Sequence, residues 1–482
     1  MGIDWRVMKT TQSSGTRPDH QTVAGTLEFK SNGKSIAIGF TEQQLSPHAG
    51  SALFWGWLRP LDWCKQLAAA LPHPPPLSNN KLLPLEKALA FMHGLLCDAR
   101  KLTHVSYLRR DPLVPELLGI TRVASQSVLT RFFQGFTSAG GNLRCFRPLW
   151  RWGLDRLPSH KEGYTLDLDS TRLLHKDGQQ EGVKGGYTKQ GIKPCLHPLL
   201  AVLGEVRLVA QLWLRSGNAS CGNNVVAFFQ ELWSNLPRHI RLKGVRADAG
   251  FCLPELLELW EGLKLPYVVV AQLSQPIQKI IKGDLKWTPT EVPGTEVAEL
   301  EYQAMSWPHP RRLVLLRHRV SDDEERGGKK LLDVPGYRFQ ALVTSLPKTT
   351  HTPLCVWRYY NRRADCENVI KELQAGFALP TLCLERFWAS EAALSLATLT
   401  YNLIVLFERH LGWQQSVTLR SLRFWLFVTA GVLSHPAGQT TIKLAVPERE
   451  RDWWRRLWEK ILSPFPNCNA VENQPALTRK SP

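Results

Sequence analysis

Asp169, Asp248 and Glu367 are the acidic side chains whose surroundings suggest more than a solvated surface. Asp169 ends a run in which Tyr164, Leu166 and Leu168 alternate with Thr165, Asp167 and Asp169, as on a strand with one buried face. Asp248 lies in Arg246-Ala-Asp-Ala-Gly-Phe251, at the end of a second strand-like run, where Gly250 suits a tight turn that exposes it. Two strand-end carboxylates of this kind can face one metal ion. Glu367 belongs to a helical stretch from Trp357 to Gln374. At roughly 100° per residue, Tyr360, Arg363, Glu367, Lys371 and Gln374 share one face and Val369, Ile370, Leu373 and Phe377 the other. One face packs, and the other offers a carboxylate among basic and phenolic groups. Each feature also has a plainer reading: a strand-end aspartate caps the next turn, and Glu367 pairs with Lys371 one turn on. What decides is whether the fold brings the three together.

Strand patterns fall near Tyr164–Asp169, Pro198–Leu203, Glu205–Leu214, Lys243–Asp248 and Tyr267–Leu273, with Gly204 at a hairpin turn. Helical patterns fall over Asn224–Leu236 and Leu253–Leu263. Strand, strand, strand, helix, strand, helix, strand is the order of a ribonuclease-H-like domain, whose first and fourth strands are neighbours. Asp169 and Asp248 would then meet. From Ser274 to Lys348 no helical period is visible, and alternation over Val292–Ala304, Arg312–Val320 and Arg338–Thr344 predicts a mainly β insertion. Upstream, a strand-and-turn lead-in precedes a helical region from Ala52 to about Trp152. Within it, Val123–Phe133, with Ser125 as cap, reads equally as the recognition helix of a helix-turn-helix or as an ordinary amphipathic helix. Lys184–Lys193 reads as a flexible basic loop, and Glu448–Ile461 as a Trp-rich helix before a loose tail.

The expected fold class is therefore α/β: a ribonuclease-H-like catalytic domain, a mixed sheet flanked by helices, with a mainly β insertion and helical N-terminal and C-terminal regions. The expected divisions are an N-terminal mainly helical DNA-binding region over 1–155, a first core part over 160–273 and the β insertion over 274–350. A second core part carrying Glu367 follows over 351–410, then a C-terminal helical region and tail over 411–482.

Lys and Arg number 60 against 42 Asp and Glu in 482 residues, a formal charge of +18, which favours a polyanionic partner. Nucleic acid is the first candidate and an acidic membrane surface the second. The ten cysteines form no CxxC pair and no Cys/His cluster at zinc spacing, as expected of reduced core thiols in a cytoplasmic protein. No apolar stretch follows the N-terminal charges, so a secretory signal is not expected. The apolar runs Ala392–Phe407 and Phe424–Leu433 read as buried helices in preference to membrane spans.

With these blocks in place the sequence resembles the DDE transposases of bacterial insertion sequences. The branch is the cut-and-paste one marked by Tyr-x-x-Arg-x-x-x-Glu-x-x-x-x-x-x-Lys. Tyr360, Arg363 and Glu367 match that spacing; Gln374 stands at the lysine position, with Lys371 one turn earlier on the same face. Asp167-Leu-Asp-Ser-Thr171 looks like the family's first acidic block and Ala247-Asp-Ala-Gly-Phe251 like its second, and the resemblance runs from about Phe40 to Phe407. It implies an enzyme, a homodimer on double-stranded DNA, that binds the element's terminal inverted repeats, cleaves the strands and joins the 3′ ends to target DNA. It further implies that Asp169, Asp248 and Glu367 are the catalytic, metal-holding residues. Two Mg²⁺ about 3.5 to 4 Å apart would activate the nucleophile and stabilise the leaving oxygen, and Mn²⁺ could substitute. Mg²⁺ takes oxygen ligands and keeps waters, so a few carboxylates with substrate oxygens suffice.

Asp167 would support the site from behind or serve as an alternative first ligand. Tyr360, Arg363 and Lys371 would position a phosphate. Lys184, Tyr187, Lys189 and Lys193, with Arg131 on the helix after Ser125, would touch DNA. Arg238, Arg241, Lys243, Arg246, Arg311, Arg312, Arg317 and Arg319 are further candidates for backbone contact. Trp307 would either stack on an unpaired base or anchor the insertion. The expected setting is the bacterial cytoplasm, near the nucleoid. Two alternatives remain: a metal-dependent DNA nuclease without strand transfer, and a transposase-derived DNA-binding protein whose catalysis has lapsed.

Overall fold

The computed structural model describes residues 6–7, 27–31, 34–74, 77, 81–175, 178–188, 191–220, 222–319, 329–331, 334–413 and 417–465. A mixed sheet runs through its centre, ten-stranded among the described residues. β1 (Tyr164–Ser170), β2 (Leu199–Leu203) and β3 (Leu208–Trp213) form an antiparallel meander. The helix α1 (Val225–Asn235) leads to β4 (Leu242–Ala247), which pairs parallel with β1, and α2 (Pro254–Gly262) leads to β5 (Tyr267–Ala271), parallel with β4. The order β3-β2-β1-β4-β5 is the one expected of a ribonuclease-H-like sheet, with β1 and β4 side by side. β1 and β2 are buried almost throughout, as befits strands covered on both faces.

The β-rich segment expected as an insertion continues this sheet. β6 (Thr295–Tyr302), β7 (Arg311–Arg319) and β8 (Val334–Thr344) extend it beyond β5, where β8 pairs antiparallel from Val268↔Thr344 to Ala271↔Ala341. A helix, Gln275–Lys282, precedes it where no helical period was visible. Pro276 fits its first turn, and it buries Ile277 and Ile281, but at eight residues it spans too few turns for its period to stand out in the sequence. The stretch expected as a flexible basic loop is largely strand: Lys184–Thr188 pairs antiparallel with Gly191–Leu196, and Leu173–Leu174 adds a third strand.

After the sheet come α3 (Pro353–Asn361), α4 (Ala364–Ala375) and the 24-residue α5 (Phe387–His410). α5 is the described helix long and apolar enough to cross a membrane, and that stretch is wholly buried inside the protein. Its polar residues serve the sheet: Asn402 accepts from Val209 N at 2.9 Å and donates to Val209 O at 2.7 Å, where β3 bulges, and Glu391 accepts from Leu214 N at 3.0 Å. An edge strand with a bulge leaves backbone groups without ladder partners; α5 satisfies them.

The second apolar run is not one buried helix. It is a π-helical turn, Arg423–Phe427, with Phe424 exposed, followed by the strand Gly431–Ser434. That strand lies between Thr441–Leu444 and Leu45–Ser46, so late residues complete a small sheet begun near the start of the chain. The N-terminal helices, from Ala52–Leu58 to Ala139–Leu154, share one apolar core with α5 and the central sheet.

Candidate active site

β1 and β4 carry the two aspartates to the same end of the sheet. Asp169, on β1, is buried; its Oδ1 accepts from Ser170 N at 2.7 Å and its Oδ2 lies 2.8 Å from Arg363 Nη2. Asp248 follows β4 directly and opens the turn Ala249–Phe251, where its Oδ1 accepts from Gly250 N at 2.9 Å. The turn inferred from Gly250 thus holds Asp248, half-buried, at a cleft of about 800 Å³. Glu367, exposed on α4, lines that cleft with Asp248, Tyr360 and Arg363. Asp169 reaches it through Arg363, to which it is bonded. Burial pushes the Asp169 carboxyl up to about 6; Arg363 opposes the rise, while Asp248 and Glu367 are near enough to add to it.

The single helix expected over Trp357–Gln374 is two helices. Arg363 N bonds Tyr360 O at 2.9 Å and Cys366 N bonds Arg363 O at 2.9 Å, so three-residue spacing tightens the chain between α3 and α4. Tyr360, Arg363 and Glu367 still converge on the cleft. Lys371 and Gln374 do not line it: Lys371 is exposed, and Gln374 Nε2 donates to Thr171 Oγ1 at 2.7 Å. Arg363 is buried, donates to Leu168 O at 3.2 Å, and leaves its Nε without a partner. Burial works against its charge, but Asp169 and its other neighbours together raise its pKa.

A second Arg–Asp pair lies one step below. Asp167 and Arg246 are register partners on β1 and β4, and Arg246 donates to both carboxylate oxygens, at 2.6 and 2.8 Å, and to Tyr359 O at 2.9 Å. Asp167 is fully buried, so as it stands it faces Arg246 and not the cleft. Burial penalises the Arg246 charge, yet Asp167, with Tyr359 and Glu205, outweighs this and holds its pKa above the usual value. Arg246 is therefore no surface contact for DNA.

Arg311 and Arg312 are likewise buried, paired with Glu261 and Glu299. Lys243 pairs with Glu162 and Glu205, and Arg317 with Glu296. A sequence cannot show which arginines meet a carboxylate from another strand. Arg238, Arg241 and Arg319 are exposed. So are Lys184, Tyr187 and Lys193 on the hairpin, whereas Lys189 lies outside the described residues. Arg131 is exposed on the helix Gln126–Gln134, beside a shallow basin lined by Ser106, Ser125, Gln126, Ser127 and Thr130. Ser125 makes no side-chain capping bond there. Trp307 is buried edge-on against Tyr302 at 5.6 Å, an anchor of the sheet's extension.

Three carboxylates make an all-oxygen donor set, which suits a hard divalent cation. Among the described residues no three acidic, His or Cys side chains are gathered closely enough to hold an ion together, and Arg363 supplies the positive charge beside Asp169. The donor set fits a metal ion; the present arrangement keeps its first member neutralised from within.

A family model described as "Transposase DDE domain group 1" matches residues 29–463. No curated protein matches the chain. Seven chains of solved structures match, among them one titled "Cryo-EM structure of piggyBac transposase synaptic complex with hairpin DNA (SNHP)". It shares 13% identity over 80% of this chain and 81% of that one, with a TM-score of 0.37.

Proposed function

The chain belongs to the family described as Transposase DDE domain group 1, and from that premise we propose that it binds the terminal inverted repeats of a mobile element, cleaves the DNA there and joins the freed 3′ ends to target DNA. The family makes it an enzyme of DNA transposition. The observation that carries the finer reading is the convergence described above: Asp169 and Asp248 end adjacent parallel strands, and Glu367 lines the cleft at which Asp248 stands.

Asp169, Asp248 and Glu367 would hold Mg²⁺, or Mn²⁺ in its place. When bound, such ions supply charge that activates the attacking oxygen and stabilises the leaving one. The chain's own residues do the rest. Arg363 neutralises Asp169 until the cleft is loaded; released, its fork of donors faces the cleft and can hold a phosphate oxygen. Tyr360 would donate its hydroxyl to the same phosphate, and Lys371 would meet the backbone outside the cleft. Lys184, Tyr187 and Lys193 on the hairpin, with Arg131 on its helix, would hold duplex further out. These contacts position DNA without reading its sequence. Two protomers on the paired element ends would place two such clefts.

The test uses DNA carrying the ends of the element that encodes the chain, with Mg²⁺, comparing wild type with Glu367→Gln. Cleavage and joining by wild type, with DNA binding but neither reaction by the variant, is the expected result. Cleavage without joining would leave a nuclease. Binding without any reaction by either protein would leave a DNA-binding protein whose catalysis has lapsed, and equal activity in both would remove Glu367 from the site.

A further inference from the structure

We propose that Arg246 is a positioning residue that keeps the Glu367-bearing helices seated on the sheet when Asp169 changes partner. This rests on the transposase reading. Two Arg–Asp pairs join the sheet to the helices. In the upper one, Arg363 reaches from the α3–α4 junction to Asp169. In the lower one, Arg246 reaches from β4 across Asp167 to the carbonyl of Tyr359 in the last turn of α3. Carbonyls of a last helical turn lack helix partners, and a cation is favoured there.

The upper pair includes a residue assigned to a metal ion, so it must open for the site to load. The lower pair holds no cleft residue and is more deeply buried: the Arg246 and Asp167 side chains are 4% and 0% exposed. The surrounding residues leave room for it. A Cβ at Gly204 would stand 2.9 Å from Arg246 Nη2 and 3.1 Å from Asp167 Oδ2, and the Tyr359 ring lies beside the guanidinium, 5.4 Å from centre to carbon. With the upper pair open, the lower pair still ties β4 to the end of α3, beside the Tyr359 hydroxyl, which donates to Thr165 Oγ1 at 3.4 Å, and Arg207, which meets Asp365 at the start of α4. It fixes where Tyr360, Arg363 and Glu367 come to rest.

The experiment compares wild type, Arg246→Lys and the double variant Asp167→Leu/Arg246→Met in the full chain. Melting temperature, DNA affinity, Mn²⁺ affinity by paramagnetic resonance and cleavage rate are measured. The double variant leaves no unpaired buried charge, so it should melt close to wild type and bind DNA equally. Its Mn²⁺ affinity and cleavage rate should fall about 10- to 100-fold, the usual effect of losing a group behind a metal site. Arg246→Lys keeps the charge but cannot span both partners, and should show a smaller loss of the same two quantities. If the double variant does not fold, Arg246→Lys alone decides. Mn²⁺ affinity and cleavage equal to wild type in a folded variant would overturn the proposal alone. A wild type that neither binds Mn²⁺ nor cuts DNA would overturn the transposase reading and this proposal with it.

Discussion

Replacing Arg363 by alanine should make the stability of the fold depend on divalent ions. The Arg363 and Asp169 side chains are 8% and 11% exposed and meet at 2.8 Å, so removing the guanidinium strands a carboxylate inside the protein. Breaking a buried pair from one side costs about 3–5 kcal/mol. Asp169 escapes part of that cost by taking up a proton, since burial already pushes it up to about 6. Unfolding entropy of about 2.1 cal/mol/K per residue over 482 residues makes each kcal/mol worth about 1 °C. The variant should therefore melt up to about 5 °C below wild type in EDTA. Mg²⁺ at a hundred times its Kd returns about 2.7 kcal/mol, because it brings the positive charge that Arg363 supplied. Wild type must first give up its own pair and gains less. Scanning calorimetry of both proteins in EDTA and in Mg²⁺ reads this directly. Equal melting temperatures in EDTA, or equal shifts on adding Mg²⁺, would refute the idea that Arg363 stands in for a cation at Asp169.

Two further outcomes are expected. Burial pushes Glu391 up to about 7, above its unfolded value, so its contribution to stability is complete below about pH 4.5 and is lost as pH rises through 7. That loss is about 3 kcal/mol by pH 8. Glu391→Gln should flatten this slope in denaturant titrations, and an unchanged slope would mean that another group causes it. On DNA, Lys184→Ala and Lys193→Ala should each reduce the salt dependence of binding by about one unit of slope while weakening related and unrelated sequences alike. A loss confined to the element's own ends would instead make these lysines part of sequence reading.

The sheet was legible because its strands are short apolar runs bounded by turns, and because the strand order forces β1 beside β4. Asp169 and Asp248 could therefore be placed at one end of the sheet from sequence alone. The face shared by Tyr360, Arg363 and Glu367 was legible from helical period, even though the chain tightens at Arg363. The partners of the charged groups were not legible. Arg246 looked like one of eight surface cations and proved to be buried across Asp167, because register pairing between β1 and β4 sets that contact. Arg363 looked free to meet a phosphate, and its hold on Asp169 follows from how α3 and α4 lie on the sheet. Gln275–Lys282 was missed because, at eight residues, it is too short for its apolar stripe to repeat over more than two turns. The extension of the sheet by β6 to β8 was missed because strand patterns do not say which neighbour a strand will find.

The pairing of Leu45–Ser46 with Gly431–Ser434 also bears on how the chain is made. Arg423 adds to it, donating to the carbonyls of Leu95, Leu96 and Gly376. A ribosome adding about 5–20 residues per second exposes Leu45 many seconds before Val432 exists to meet it. The first-made helices therefore wait, incompletely covered, until the chain has been made past Ser434. A chain cut short before Arg423 would lack the strand and the arginine that close its beginning, and its N-terminal region would stay incompletely covered. Completion of the N-terminal region thereby reports that the residues carrying the cleft, all encoded earlier than Arg423, have already been made.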